Sequence, residues 1–448
     1  MNTQTRTTLC EVFHKTDITT TEMQDAITEW YELYFDQNQP EDESNIQRLA
    51  NVIVSKIYKA AFSEYTAESD NEFAKSVLDA LGKVKKKTMQ QTLIGSQAWL
   101  KPYIFDDKIT FSVVTRDNVV VFGRDAENNL TDVATQEDTE TDGKFYHLYE
   151  NRYIGENGNL VIDSRLYESE SRDKQGKRVP LDTLERYADL DDETEIPIQS
   201  IGLIGMSCPA ENCVDGTDDP VSVYAAAVGL IHAINLNEAQ LSGEFDRGES
   251  RIIVSGDLLK GSGTNRQLAD NLFTALDDDP ENVGFQIFSP QLREASFLAR
   301  KAEYLRNIEN LIGLKHGLLS DVNEMQKTAK EITSSEGDYN LTIIDFQEIW
   351  ESTARECVKL CADLMTAYRK SSPKVEDEEI VINWGNGILY DRDKTWAEYM
   401  TLVSAGMLKP EIALAWYFNL PHSTPEDIEK IRTDYMPELM NMVAQPVE

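Results

Sequence analysis

Cysteine is scarce, with five in 448 residues, too few and too irregularly spaced for a disulfide framework. Cys357 and Cys361 fall four apart on one side of an expected helix, with no second Cys pair or His at ligand spacing. Cys208 and Cys213 fall in an expected loop, so free thiols are the reading there. Long apolar runs are missing too. The longest, Tyr224–Ile234, is broken by Gly229 and His232, short of the ~18–20 apolar residues of a membrane span. The N-terminus through Trp30 lacks the basic head, apolar run and small-residue cleavage site of a signal peptide. These absences predict a soluble protein made in a reducing cytoplasm. Positive charge is also in short supply. Lys and Arg number 43 against 79 Asp and Glu, giving a formal charge of −36 and a pI near 4.5. That balance excludes the profile of a tight duplex binder. It leaves room for a chain that encloses a polyanion without gripping it.

Catalytic patterns are absent as well. His14, His147, His232, His316 and His422 stand singly, without a His-Glu-x-x-His or His-x-His spacing. The Gly256–Gly263 loop lacks the Gly-Lys-Ser/Thr of a phosphate-binding loop, and no Gly-x-Ser-x-Gly elbow occurs. Asp277–Asp279 and Asp191–Glu193 arise readily from so acidic a composition and read as solvated loops. A two-metal nuclease built from such clusters remains an alternative. Neither an enzyme nor a cofactor is expected.

Enough is present for a substantial core: 41% hydrophobic and 9% aromatic residues exclude global disorder. Residues 20–90 read as helical, since Ile27, Trp30, Tyr31 and Tyr34 recur at helical spacing, as do Leu49, Ile53, Ile57 and Ala60. Asp42, Glu43 and Ser44 fit a helix start. The basic run 83–87 reads as a solvated helix end. From Gly95 the period changes. Ala98–Tyr103, Ile109–Val114, Asn118–Phe122, Lys144–Asn151, Leu160–Tyr167 and Val179–Leu181 read as short antiparallel strands separated by Asn, Asp and Gly turns. An acidic loop from Asp189 to Glu195 follows. Pro220 and Ser222 open a long helix with Val223, Ala226, Ala227, Leu230, Ile234 and Leu241 on its apolar stripe. Arg251–Ser255 and Phe285–Phe288 read as strands, and Gln267–Leu276 and Leu292–Asn310 as helices. Helix dominates from Asp321 to Tyr368, with a weak point at Gly337 and a kink expected around Ser334 and Ser335. A strand at Ile380–Trp384 then leads to a small helical C-terminal region.

Several strings are collinear with this order of elements. They are Gly95-Ser-Gln-Ala-Trp-Leu-Lys-Pro-Tyr103, Ile162-Asp-Ser-Arg-Leu-Tyr-Glu-Ser169, Asp219-Pro-Val-Ser-Val-Tyr224 and the run from Gly243 to Val254. Met325-Gln-Lys-Thr-Ala-Lys-Glu-Ile332 and the C-terminal Asp391–Pro410 complete the set. Together they resemble the portal proteins of tailed bacteriophages, particularly the shorter siphophage type of phages that infect Gram-positive bacteria. Lys330 stands where that family usually has a second Thr.

The resemblance implies an α+β portal fold. A wing of N-terminal helices and β-rich body would cover residues 1–219, with a stem helix at 220–243 and a clip at 244–291. A returning stem helix at 292–313, a tunnel loop and helix at 314–340, a wing helix at 341–372 and a short crown at 373–448 would follow. It also implies a twelve-subunit ring at one capsid vertex of the virion, assembled in the host cytoplasm. That ring passes double-stranded DNA during terminase-driven packaging and at ejection. Its partners would be further copies of itself, terminase, a head–tail adaptor, and the major capsid and scaffolding proteins. No membrane is involved. Another phage head or connector component is the alternative. Lys315, Lys327, Lys330, Glu331, Ser334 and Ser335 become the candidate tunnel residues. Arg251, Arg293 and Glu249 become clip candidates for docking or inter-subunit pairing. Tyr224, Ala227, Leu230 and Ile234 become candidates for stem packing.

Overall fold

The computed structural model describes residues 3–38, 40, 46–105, 108–248, 251–254, 259–260, 267–268, 285–288, 291–320, 329–368, 371–384, 392–418, 420 and 425–436. The chain divides into two compact units, Met1–Ala61 with Ala67–Val381, and Phe62–Thr66 with Ile382–Glu448. It is a mixed helix and sheet fold, as the residue patterns predict.

Helices α1 (Thr3–Phe13), α2 (Thr21–Phe35) and α3 (Leu49–Phe62) open the chain, followed by strand β1 (Thr66–Ser69) and helix α4 (Glu72–Gly95). Thr20 caps α2, its side chain accepting from the Met23 amide at 3.2 Å, which satisfies one of the free donors of a helix start. Ile27, Trp30 and Tyr31 then point inward, as their spacing predicts, joined by Met23 and Leu33, while Tyr34 is only half-buried. Asp42, Glu43 and Ser44, expected to start α3, lie outside the described residues. Asn71 caps α4 by accepting from the Phe73 and Ala74 amides. At the far end of α4, a Cβ on Gly95 would meet the Tyr31 hydroxyl oxygen at 2.4 Å. Only glycine lets the Tyr31 ring close over the turn into the first sheet.

Two antiparallel sheets form the β body. The smaller runs β10-β2-β3, with β2 (Gln97–Phe105), β3 (Lys108–Thr115) and β10 (Ile204–Ser207). The larger is a six-stranded meander of β4 (Val119–Arg124), β5 (Leu130–Thr141), β6 (Lys144–Ile154), β7 (Leu160–Ser169) and β8 (Lys177–Val179), with β9 (Glu193–Ile196) also paired to β7. Side chains alternate across β6. Tyr149 faces Leu9, Val12 and Phe13 of α1, while Leu148 packs with Leu166, Leu181 and Tyr187 on the opposite face. Trp99 of the smaller sheet joins Val119, Val121 and Val133 of the larger one in a shared core.

After the body come α5 (Val228–Arg247), β11 (Arg251–Val254), β12 (Leu259–Lys260), β13 (Gln267–Leu268), β14 (Phe285–Phe288) and α6 (Glu294–Ile312). Then follow α7 (Ala329–Ala367), β15 (Ile380–Asn383), α8 (Arg392–Ser404), α9 (Pro410–Phe418) and α10 (Pro425–Tyr435). Three expectations are corrected here. The long helix starts at Val228 rather than near Pro220. Before it, the Val223 amide and the Ser222 hydroxyl both donate to the Leu93 carbonyl. Those donors serve an orphan acceptor at the end of α4 instead of a helix of their own. Gln267 and Leu268, read as helical, pair antiparallel with Lys260 and Leu259; the remainder of that expected helix lies outside the described residues. Helix α7 runs unbroken through Ser334, Ser335 and Gly337, so no break occurs at the expected weak point.

In the second unit, Trp384 stacks at a tilt on Phe62 and Tyr65. Helices α8 to α10 are joined by Trp396–Tyr417, Tyr399–Trp416 and Phe418–Tyr435 ring contacts. Ala413, Ala415 and Ile431 are buried there.

Candidate functional site

Helices α5 and α6 form an antiparallel pair. Glu244 receives a bidentate bond from Arg293 at 3.0 and 2.7 Å. One step closer to the body, the Asn237 side chain donates to the Phe297 carbonyl, and Lys301 reaches Glu238 at 3.0 Å. Beyond the helix ends, β11 and β14 pair antiparallel from Arg251↔Phe288 to Val254↔Phe285. The pair is rooted at its other end. The Tyr224 hydroxyl donates to the Trp30 carbonyl at 2.8 Å, and Asn235 accepts from the Gln47 amide.

Burial falls off along the pair. Tyr224, Ala227, Ile231 and Ile234 are buried, whereas Phe245, Leu292 and Leu298 are each 39–48% exposed. Of the four stem-packing candidates, Tyr224, Ala227 and Ile234 are buried and Leu230 is half-buried; Ile231 fills the inward position. Leu311, in the last turn of α6, is exposed as well, so apolar side chains are left in water near both ends of the pair.

The turn that leaves α6 is organised by a residue that sequence reasoning missed. Glu309 is fully buried. One carboxylate oxygen accepts from the amides of Gly317, Leu319 and Ser320 at 3.1, 2.6 and 2.9 Å. The other accepts from the Ser320 hydroxyl at 2.8 Å and lies 3.2 Å from His316 Nδ1. Burial alone would raise its pKa. The donated hydrogen bonds, from Ser320 and Leu319 foremost, outweigh that and hold the carboxyl below its ordinary value. Gly313 ends α6 in the left-handed conformation, φ 72°, and a Cβ there would meet Thr342 Oγ1 of α7 at 2.6 Å. The whole stretch from Gly313 to Ser320 is thus fastened to the end of α6. Its one sequence signal is a misfit: an acidic side chain in the last turn of a helix, where the helix dipole favours cations.

The sequence matches the family described as "Phage portal protein, SPP1 Gp6-like" over residues 58–435. The chain belongs to this phage portal family. Among solved structures, the chain is similar to one described as "Neck of native GTA particle computed with C12 symmetry", 12% identical, with a TM-score of 0.49, covering 93% of this chain and 99% of that one. No curated protein matches the chain.

The portal family is a structural rather than an enzymatic one. Among the described residues, no group of three or more His, Cys, Asp or Glu side chains is placed to hold a metal ion. Within the same residues, no helix is long and apolar enough to cross a membrane. The candidate tunnel residues scatter with respect to the Glu309 turn. Lys315 lies within it, half-buried. Lys330, Glu331, Ser334 and Ser335 lie in the first turns of α7. Lys327 lies outside the described residues, as does Asp277–Asp279. Of the clip candidates, Arg293 closes the helix pair on Glu244, Arg251 stands in β11, and Glu249 lies outside the described residues.

Proposed function

We propose that this chain is the portal subunit of a tailed phage, a ring-forming channel at one capsid vertex that conducts DNA during packaging and ejection. Membership of the portal family over most of the chain carries the reading. Twelve copies per ring is the family expectation. In that frame, α5 and α6 are the stem, the β11–β14 pair and its insert are the clip that meets terminase and later a head–tail adaptor, and the β body is the wing. Residues from the Glu309 turn to the start of α7 form the tunnel segment, and the second unit is the crown.

The physical chemistry is compatible with each part. Exposed Phe245, Leu292 and Leu298 suit packing against neighbours in a closed heterologous ring. Each copy brings a formal charge of −36, so a ring of such copies is strongly acidic, and any of that charge lining the channel would keep DNA from sticking to its wall. That repulsion acts over a screening length of about 8–10 Å at physiological salt. The Glu309 turn gives the tunnel segment a rigid anchor at one end while α7 carries it at the other. The test is particle imaging of purified protein under assembly conditions. Rings with a central channel are expected, and a preparation that stays monomeric throughout sinks the proposal.

A further inference from the structure

A cavity of about 590 Å³ opens between the two sheets of the β body, in the size range of small-molecule sites. Two cations are buried in its wall. Lys101 of β2 and Arg152 of β6 are 5% and 7% exposed, and between them sits a single buried carboxylate, Glu150. Lys101 takes that carboxylate in a direct ion pair. Arg152 is left poorly served. Its nearest acceptors are the Ile201 carbonyl at 3.4 Å and a Glu150 oxygen at 3.8 Å, and its Nε has no hydrogen-bond partner among the described residues. A guanidinium carries five N–H donors in a planar fork, and a buried charge without a close partner is costly. Among its buried side chains the wall therefore holds one positive charge in excess, with donors to spare, while the exposed Arg186 and Asp191 add one charge of each sign to the lining. Much of the remaining lining is apolar or aromatic, including Leu160, Ile162, Leu364 and Tyr368.

We propose that this inter-sheet cavity is a carboxylate-binding site, in which Arg152 receives the carboxylate and the apolar wall receives a short aliphatic or aryl body. A carboxylate matches the guanidinium fork two bonds at a time and supplies the charge that Glu150 alone does not. Two sources offer that chemistry: a free organic acid, or an Asp or Glu side chain from a second copy of this chain. The site stands or falls independently of the DNA channel.

Thermal melting and titration calorimetry of the full-length protein test it, with hexanoate and phenylacetate as probes and sodium chloride at matched ionic strength as the control. A saturable rise of about 2–5 °C is expected in the wild type, with none from the neutral hexanamide. Arg152→Gln removes the receiving group. Ser112→Phe fills the cavity from the residue opposite Lys101 on β3 and leaves every charge in place, which keeps the test open if the first variant folds poorly. Both variants should lose the calorimetric signal. Equal binding to rings and monomers assigns the site to a free acid. Binding to monomers alone, with slowed assembly, assigns it to a neighbouring copy. No saturable signal in the wild type, an equal effect of hexanamide, or binding that persists in both variants overturns the proposal.

Discussion

Replacing Glu309 offers the sharpest test of how the α6 turn is held. In Glu309→Ala, the amides of Leu319 and Ser320 lose their acceptor, and so does the Ser320 hydroxyl. Ser320 is buried, so water does not simply replace what is lost, whereas exposed Gly317 can turn to solvent. Two orphaned buried donors at about 1–3 kcal/mol each, plus the charge-assisted part of the bonds, put the cost at about 3–5 kcal/mol. Glu309→Gln keeps one oxygen for the three amides and turns its NH₂ to the Ser320 hydroxyl. It forfeits only the charge, about 1–3 kcal/mol. Urea unfolding gives the totals, and hydrogen exchange at Leu319 and Ser320 localises them, with about tenfold faster exchange per 1.4 kcal/mol lost. The acid limb gives a second readout. The folded carboxyl lies below its ordinary 4.5, so its contribution is fully present above that pH and is lost as pH falls through the lower folded value. Glu309→Gln should flatten that limb. An alanine variant within about 0.5 kcal/mol of the wild type, or unchanged exchange at both amides, would refute the turn's dependence on this carboxylate.

Glu150→Leu leaves Lys101 and Arg152 buried without their shared carboxylate and should cost about 3–5 kcal/mol in urea unfolding. Ile231→Ala should cost about 2–5 kcal/mol, and Leu230→Ala clearly less, because Ile231 is the fully buried member of the pair; equal losses would place both in the core. Deleting Lys327–Asp338 should leave ring assembly intact in particle images while DNA packaging falls in an in vitro assay. Failure of rings to form in that deletion would make the segment part of the subunit interface.

The strands most easily read from the residues were those with a complete apolar face. Thus β2, β3, β6 and β7 follow from runs of β-branched and aromatic residues between turn signals, and Arg251–Val254 and Phe285–Phe288 emerge as two strands that pair. Strand β5 escaped because its twelve residues, Leu-Thr-Asp-Val-Ala-Thr-Gln-Glu-Asp-Thr-Glu-Thr, bury only Val133, Ala134 and Thr135. Its register is set by the ten-residue ladder with β6 rather than by its own pattern. Helix α1 escaped for a related reason, since its apolar residues Leu9, Val12 and Phe13 make sense only against the sheet they cover. Glu309 was overlooked because its donors come from a turn that begins several residues later, and its misfit at a helix end is a faint signal in a chain with 79 acidic residues. Arg152 was hidden likewise: a charged residue on an alternating strand reads as solvent-facing until a second sheet closes over it.

The antiparallel pairing of β11 with β14 has a bearing on how such a protein diversifies. Gly248 and Leu292 are neighbours, since a Cβ on the glycine would meet the leucine side chain at 2.2 Å. The intervening stretch therefore leaves and re-enters the helix pair through one narrow gate. Closing a loop twice as long costs only about 0.6 kcal/mol more. Residues can accordingly be gained, lost or exchanged beyond the gate while Glu244 still meets Arg293 and Glu238 still meets Lys301. The mount that Glu244, Arg293, Glu238 and Lys301 form is thus energetically separable from the length of chain it carries.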